Sequence, residues 1–98
     1  MPSELDKLIE LLSIVIEENL DCDIAEGLCN EIDWSKIIEI KNVYPNLFHY
    51  WNDQDHRQEC SEYKAMQDSE LKKLIQHLKK KEFVKACHIS FLSVTPNS

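Results

Sequence analysis

The sequence predicts an all-α fold, a compact bundle of four to five short-to-medium helices with an extended C-terminal tail. Three observations predict it. Glycine occurs once (Gly27) and proline three times (Pro2, Pro45, Pro96), too few for the special backbone angles that β-hairpins need at their turns. Isoleucine, leucine, glutamate and lysine dominate, a composition that suits helices. Apolar residues recur at helical spacing in both halves of the chain. Ninety-eight residues fit one domain with a modest core, read here as residues 1–85 followed by an arm at residues 86–98.

Ser3 opens the first helix, with Asp6 in the place of a capping-box acid. Leu5, Leu8, Ile9, Leu12, Val15 and Ile16 form its apolar stripe, widened by Leu11 and Ile14, and Asn19 ends it. Such a broad stripe marks a central helix. Asp21 and Asp23 start a second helix, with Ile24, Leu28 and Ile32 expected inward. Asp33 caps a third, Trp34 to about Asn42, with Trp34, Ile37 and Ile38 on one face and Ile40 at its edge. Pro45 disfavours helical geometry at Tyr44 and predicts a break there.

Asn46 then caps a short fourth helix over residues 46–52, with Leu47, Phe48 and Trp51 inward and Tyr50 at the boundary. Asn52, Asp53 and Asp55 compete for backbone hydrogen bonds and predict a turn. A further helix is expected from Asp55 to Gln67, and a last one from Asp68–Ser69, with Leu71, Leu74, Ile75 and Leu78 inward. Phe83 and Val84 close the core. The tail, with Ile89 and Phe91, is β-branched and aromatic, and reads as an extended segment laid across the bundle.

The formal charge is −7. Residues 1–50 hold eleven acids against Lys7, Lys36 and Lys41, which gives −8, and residues 51–98 hold seven acids against eight bases, which gives +1. An acidic surface disfavours nucleic-acid phosphate and anionic membrane. It favours a basic protein partner. The lysines from Lys72 to Lys85 lack interleaved aromatics and read as the wet face of the last helix.

Cys22, Cys29, Cys60 and Cys87 match no zinc-ribbon or redox spacing. The first apolar run is interrupted by Asp6, Lys7 and Glu10, unlike a secretory signal. The cysteines are therefore expected reduced, in a cytoplasmic protein. No apolar run reaches the roughly 18 residues that span a bilayer.

Residues 44–57 concentrate the unusual chemistry. They hold the only arginine, Arg57, and Tyr44, Phe48, Tyr50 and Trp51. Tyr, Trp and Arg are enriched at interface hot spots, so Tyr44, Tyr50, Trp51, Asp53, Asp55 and Arg57 are expected to form a recognition corner. Arg57 should pair with Glu59, Glu62 or an acid of the N-terminal half. His49, Asp53, His56 and Cys60 would form a metal-ligating stripe on an unbroken helix, but the predicted turn interrupts it. The cluster Asp21, Asp23 and Glu26 lacks the spacing of a calcium loop and reads as capping. No cofactor motif, glycine-rich loop or nucleophile elbow occurs, so neither a cofactor nor catalysis is expected.

In size, acidity and helicity the chain is similar to the small acidic helical immunity proteins and antitoxins of bacteria, which neutralise a basic toxin by protein contact. That resemblance implies a non-catalytic inhibitor. The expected function is protein binding, with Asp21, Asp23, Glu26 and Glu31 steering a basic partner onto the aromatic corner. A metal or hydrolytic site on His49, Asp53 and His56 is the alternative from another class. A homodimer through the tail is a third.

Overall fold

Ser3 caps the first helix, α1 (Glu4–Glu18), in the computed structural model, which describes residues 3–91. The Ser3 hydroxyl accepts the Asp6 N–H at 3.1 Å, and the Asp6 carboxylate accepts the Ser3 N–H at 3.3 Å. This reciprocal box satisfies two donors that a helix start otherwise leaves open. Asn19 ends the helix in the left-handed conformation, φ 53°, which asparagine tolerates better than most residues.

Five further α-helices and one 3-10 helix follow: α2 (Cys22–Asn30), the 3-10 helix Trp34–Ile40, α3 (Val43–Asn52), α4 (Gln54–Glu59), α5 (Ser61–Lys79) and α6 (Phe83–Cys87). Among the described residues there is no strand. The fold is all-α. α1 packs on α5, α2 and the 3-10 helix, and α6 closes against α5 and the 3-10 helix. The core runs through Leu8, Leu12, Ile40, Leu47, Leu71, Leu74 and Leu78, all essentially inaccessible. No described helix is long and apolar enough to cross a membrane.

Several local expectations are corrected. α2 turns Cys22, Ala25 and Cys29 inward, while Ile24 and Leu28 are exposed. Positions 22, 25, 29 and 32 keep helical spacing as well as 24, 28 and 32 do, so periodicity alone admitted both faces. The third segment is a 3-10 helix with a kink at Ile37. Ile37 and Ile40 are buried, Trp34 packs against the core partly buried, and Ile38 is exposed, because the kink at Ile37 interrupts the period that would have paired Ile37 with Ile38.

Pro45 does not break the helix before it. It sits in the first turn of α3, where its missing N–H is no loss. Asn46 therefore does not cap. Its side-chain amide donates to the Ile89 carbonyl at 3.0 Å and holds the end of the described chain. The break expected at Asp68 falls at Cys60, which is extended between α4 and α5. Asp68 lies inside α5, where its side chain accepts the Tyr50 hydroxyl at 2.8 Å rather than capping a helix.

α5 ends in a left-handed Lys81, φ 59°. The Glu82 N–H bonds the His77 carbonyl at 2.8 Å and the Lys81 N–H bonds that of Leu78 at 3.1 Å, the two bonds of a Schellman motif. α6 turns Phe83 and Ala86 toward the core and leaves Val84 exposed. α6 spans residue 85, and Ile89 and Phe91 are buried in the same core. Residues 92–98, the remainder of the expected arm, lie outside the described residues.

Candidate functional site

Two features of this fold are candidate sites: the outer face of α2, and a polar network around Arg57.

The α2 face follows from the helix's orientation. With Cys22, Ala25 and Cys29 committed to the core, Ile24 (56 % exposed) and Leu28 (43 % exposed) stand one turn apart in solvent. Gly27 and Glu31 lie on the same side and Asp23 flanks it, with Glu26 half-buried beyond Asp23 on that same flank. Asp21 caps the helix, its carboxylate accepting the Asp23 N–H at 3.1 Å and the Gln54 amide at 3.3 Å. Gly27 has no positive φ, and a Cβ built there meets nothing within 4 Å. Neither backbone geometry nor internal packing calls for glycine at this position.

The charge here is one-sided. From Leu8 to Ser35 the sequence has eight acids and no Lys, Arg or His. Among the described residues, none of Asp21, Asp23, Glu26 and Glu31 forms an ion pair. α1 ends in Glu17 and Glu18, and Glu31 is the C-cap of α2. Helix C-termini favour cations, so these acids work against their own helices.

The Arg57 network corrects the expectation of a recognition corner. Trp51 lies inward, as its place in the short helix predicts, but Tyr50 and Arg57 are buried as well, and Arg57 is only 7 % exposed. Its Nη1 donates to the Tyr50 carbonyl at 2.6 Å and to Gln67 Oε1 at 2.5 Å. Nη2 donates to Cys22 Sγ at 3.0 Å. The guanidinium carbon lies 3.7 Å from the centroid of the Tyr50 ring, within cation–π range. Contrary to expectation, no carboxylate among the described residues lies within ion-pairing distance of Arg57.

Gln67, fully buried, carries the network onward. Its amide donates to Asp53 at 2.8 Å and to the Phe91 carbonyl at 2.8 Å. Tyr63 also donates to Asp53, at 2.7 Å. Burial pushes the Tyr63 phenol up to about 12, with the Asp53 contact adding to it. Burial likewise raises Tyr50 above the ordinary phenol value, with Asp68 assisting and Arg57 opposing. Both phenols therefore stay protonated and act as donors. Burial raises the Cys22 thiol against the pull of Arg57.

The network thus gathers Tyr50, Asp53 and Arg57 from the expected corner, and adds Cys22, Tyr63 and Gln67. Sequence reasoning places Cys60, Tyr63 and either Met66 or Gln67 on one side of a helix, but gives Gln67 no role. The available signal was its phase: positions 67, 71, 74 and 78 share one helical stripe, so a polar residue headed an apolar row. Trp51 lies in the core, and half-buried Tyr44 donates to Asn30 at 2.6 Å while packing edge-on against Trp34 and Phe48. Asp55 is exposed.

The metal-ligating stripe does not assemble. His49, His56 and Cys60 are exposed, and Asp53 is engaged by Gln67 and Tyr63. The chain bends at Asp53 and again at Cys60, and among the described residues no group of three or more His, Cys, Asp or Glu is placed to hold a metal ion.

A cleft of about 520 Å³ opens beside the network. The end of α1, the start of α2, and residues of α3, α4 and α5 line it. No family model matches the sequence, and neither a curated protein nor a solved structure matches it significantly.

Proposed function

We propose that the chain is a non-catalytic protein-binding module, of the immunity or antitoxin kind, whose α2 face docks on a basic surface of another protein. One observation carries this reading: Ile24 and Leu28 stand exposed side by side, flanked by Asp23 and Glu31, with no cation among the described residues pairing those acids. An apolar centre with a charged rim is the usual anatomy of an interface. Gly27 beside Ile24 lets a partner backbone approach closely. A second copy of this chain fits poorly, because it would set one acidic rim against another. The four free cysteines suit a reducing compartment such as the cytoplasm.

The test uses two pairs of exposed substitutions, Ile24→Ser with Leu28→Ser, and Asp23→Asn with Glu31→Gln. Each should leave the helical circular dichroism unchanged. A basic protein recovered with the wild-type chain from its native cell should be lost with the apolar pair. The neutralised pair should slow association by about tenfold and flatten its salt dependence. Recovery and association that ignore both pairs would sink the reading.

A further inference from the structure

Arg57 is a permanently charged group that is 7 % exposed and whose three acceptors, a carbonyl, an amide oxygen and a thiol, are all neutral. Burying a cation without a counter-charge is unfavourable. Relayed contacts supply part of the compensation, through Gln67 to Asp53 and through the Tyr50 ring, whose hydroxyl reaches Asp68. Two of the five guanidinium hydrogens, on Nε and on Nη2, have no acceptor among the described residues. Among the described residues no fully buried side-chain nitrogen lacks a partner, and Arg57 lines the cleft of about 520 Å³.

The rest of the cleft narrows the chemistry. Val15, Ile16 and Leu20 form an apolar wall. Two cations, Arg57 and Lys64, are balanced by Asp21 and Asp68. Both acids are already occupied: Asp21 accepts from Asp23 and Gln54, and Asp68 accepts from Tyr50 and Lys64. They do not compete for Arg57, but they disfavour a dianion such as phosphate. A single carboxylate, able to use a guanidinium edge bidentately, suits the charge. An apolar body suits the wall.

We propose that this cleft binds a small monocarboxylic acid, its carboxylate held by the Arg57 N–H groups that have no acceptor among the described residues and its apolar body lying against Val15, Ile16 and Leu20. The site stands apart from the α2 face and does not depend on the protein-binding reading.

The test follows the Arg57 Nε–H resonance of the full chain by nuclear magnetic resonance. Phenylacetate, its neutral amide phenylacetamide, and inorganic phosphate are titrated separately. Phenylacetate should shift the resonance saturably with a Kd of about 1 mM or tighter, and the amide should bind at least about tenfold more weakly. Ile16→Ala trims the wall without touching a donor and should weaken phenylacetate about fivefold. Arg57→Lys should abolish saturable binding; if that variant does not fold, the amide comparison and Ile16→Ala carry the test. No shift at Arg57 up to about 20 mM phenylacetate, equal affinity for acid and amide, or tighter binding of phosphate would each overturn the proposal.

Discussion

Arg57 Nη1 donates to Gln67 Oε1 at 2.5 Å, and the same Gln67 side chain donates onward to Asp53 and to the Phe91 carbonyl. One buried amide thus connects the cation of α4 with the turn before it and with the end of the described chain. Replacing it leaves a buried charge short of an acceptor and a carboxylate short of a donor. Gln67→Leu, which fits the apolar row of α5, should therefore destabilise the fold by roughly 1–3 kcal/mol, the range for leaving a buried polar group without its partner. Urea unfolding followed by circular dichroism measures it. A loss below about 1 kcal/mol would mean that the guanidinium is satisfied without Gln67.

Gly27 separates internal from external demands on the sequence. A Cβ there meets open space, and glycine inside a helix costs up to about 1 kcal/mol relative to alanine. Gly27→Ala should raise stability by that amount, with a melting temperature higher by about 4–8 °C in a domain this small. On the proposed docking reading it should also weaken recovery of the partner, because the added methyl stands on the exposed face beside Ile24. A variant that is destabilised would contradict the open space at this position.

Acid sensitivity should arise partly at a surface contact between α1 and the residue before the 3-10 helix. Glu4 accepts the Asp33 N–H at 2.8 Å and pairs with Lys7. The Asp33 backbone bond, followed by Lys7, holds its carboxyl below the ordinary 4.5. Asp33 is held low by the Ser35 side chain, and Glu82 by His77. A carboxyl lowered in the folded state contributes stability above its unfolded pKa and loses it as pH falls through the folded one. Wild-type urea midpoints should therefore fall as pH drops below about 5, and Glu4→Gln should show a shallower fall. Parallel curves for the two proteins would remove Glu4 from the acid limb.

What was legible in the sequence was whatever local rules decide. The Ser3–Asp6 capping box, the Asn19 stop and the Leu8–Leu12 stripe needed only neighbours within one helix. The face of α2 was not local. Its larger apolar residues, Ile24 and Leu28, pointed to one side, yet Cys22, Ala25 and Cys29 fill the core because small residues allow α2 to lie close to its neighbours. Pro45 was compatible with two outcomes, since a proline breaks a helix interior and fits a first turn. The burial of Arg57 was the least legible. Its surroundings come from Cys22, Tyr50 and Gln67 on three different helices, a proximity no spacing rule contains.

The four cysteines differ enough in setting to be told apart by reactivity. Cys60 is exposed, Cys87 is partly covered and donates to the Glu39 carbonyl at 3.4 Å, and Cys22 and Cys29 are buried. The attacking species is the thiolate. Burial pushes Cys29 up to about 12 and raises Cys22 despite the adjacent guanidinium. At a pH of about 8, well below the Cys29 value, Cys29 forms little thiolate in the folded chain, and burial disfavours the Cys22 thiolate in the same direction. An aromatic disulfide reagent should therefore modify Cys60 in a fast phase that Cys60→Ser removes, and Cys87 in a slower one. Cys22 and Cys29 should react only at the rate at which the structure opens, so urea should accelerate them without changing the fast phase. Four thiols reacting together in the folded protein would contradict the packing of α2 against the core.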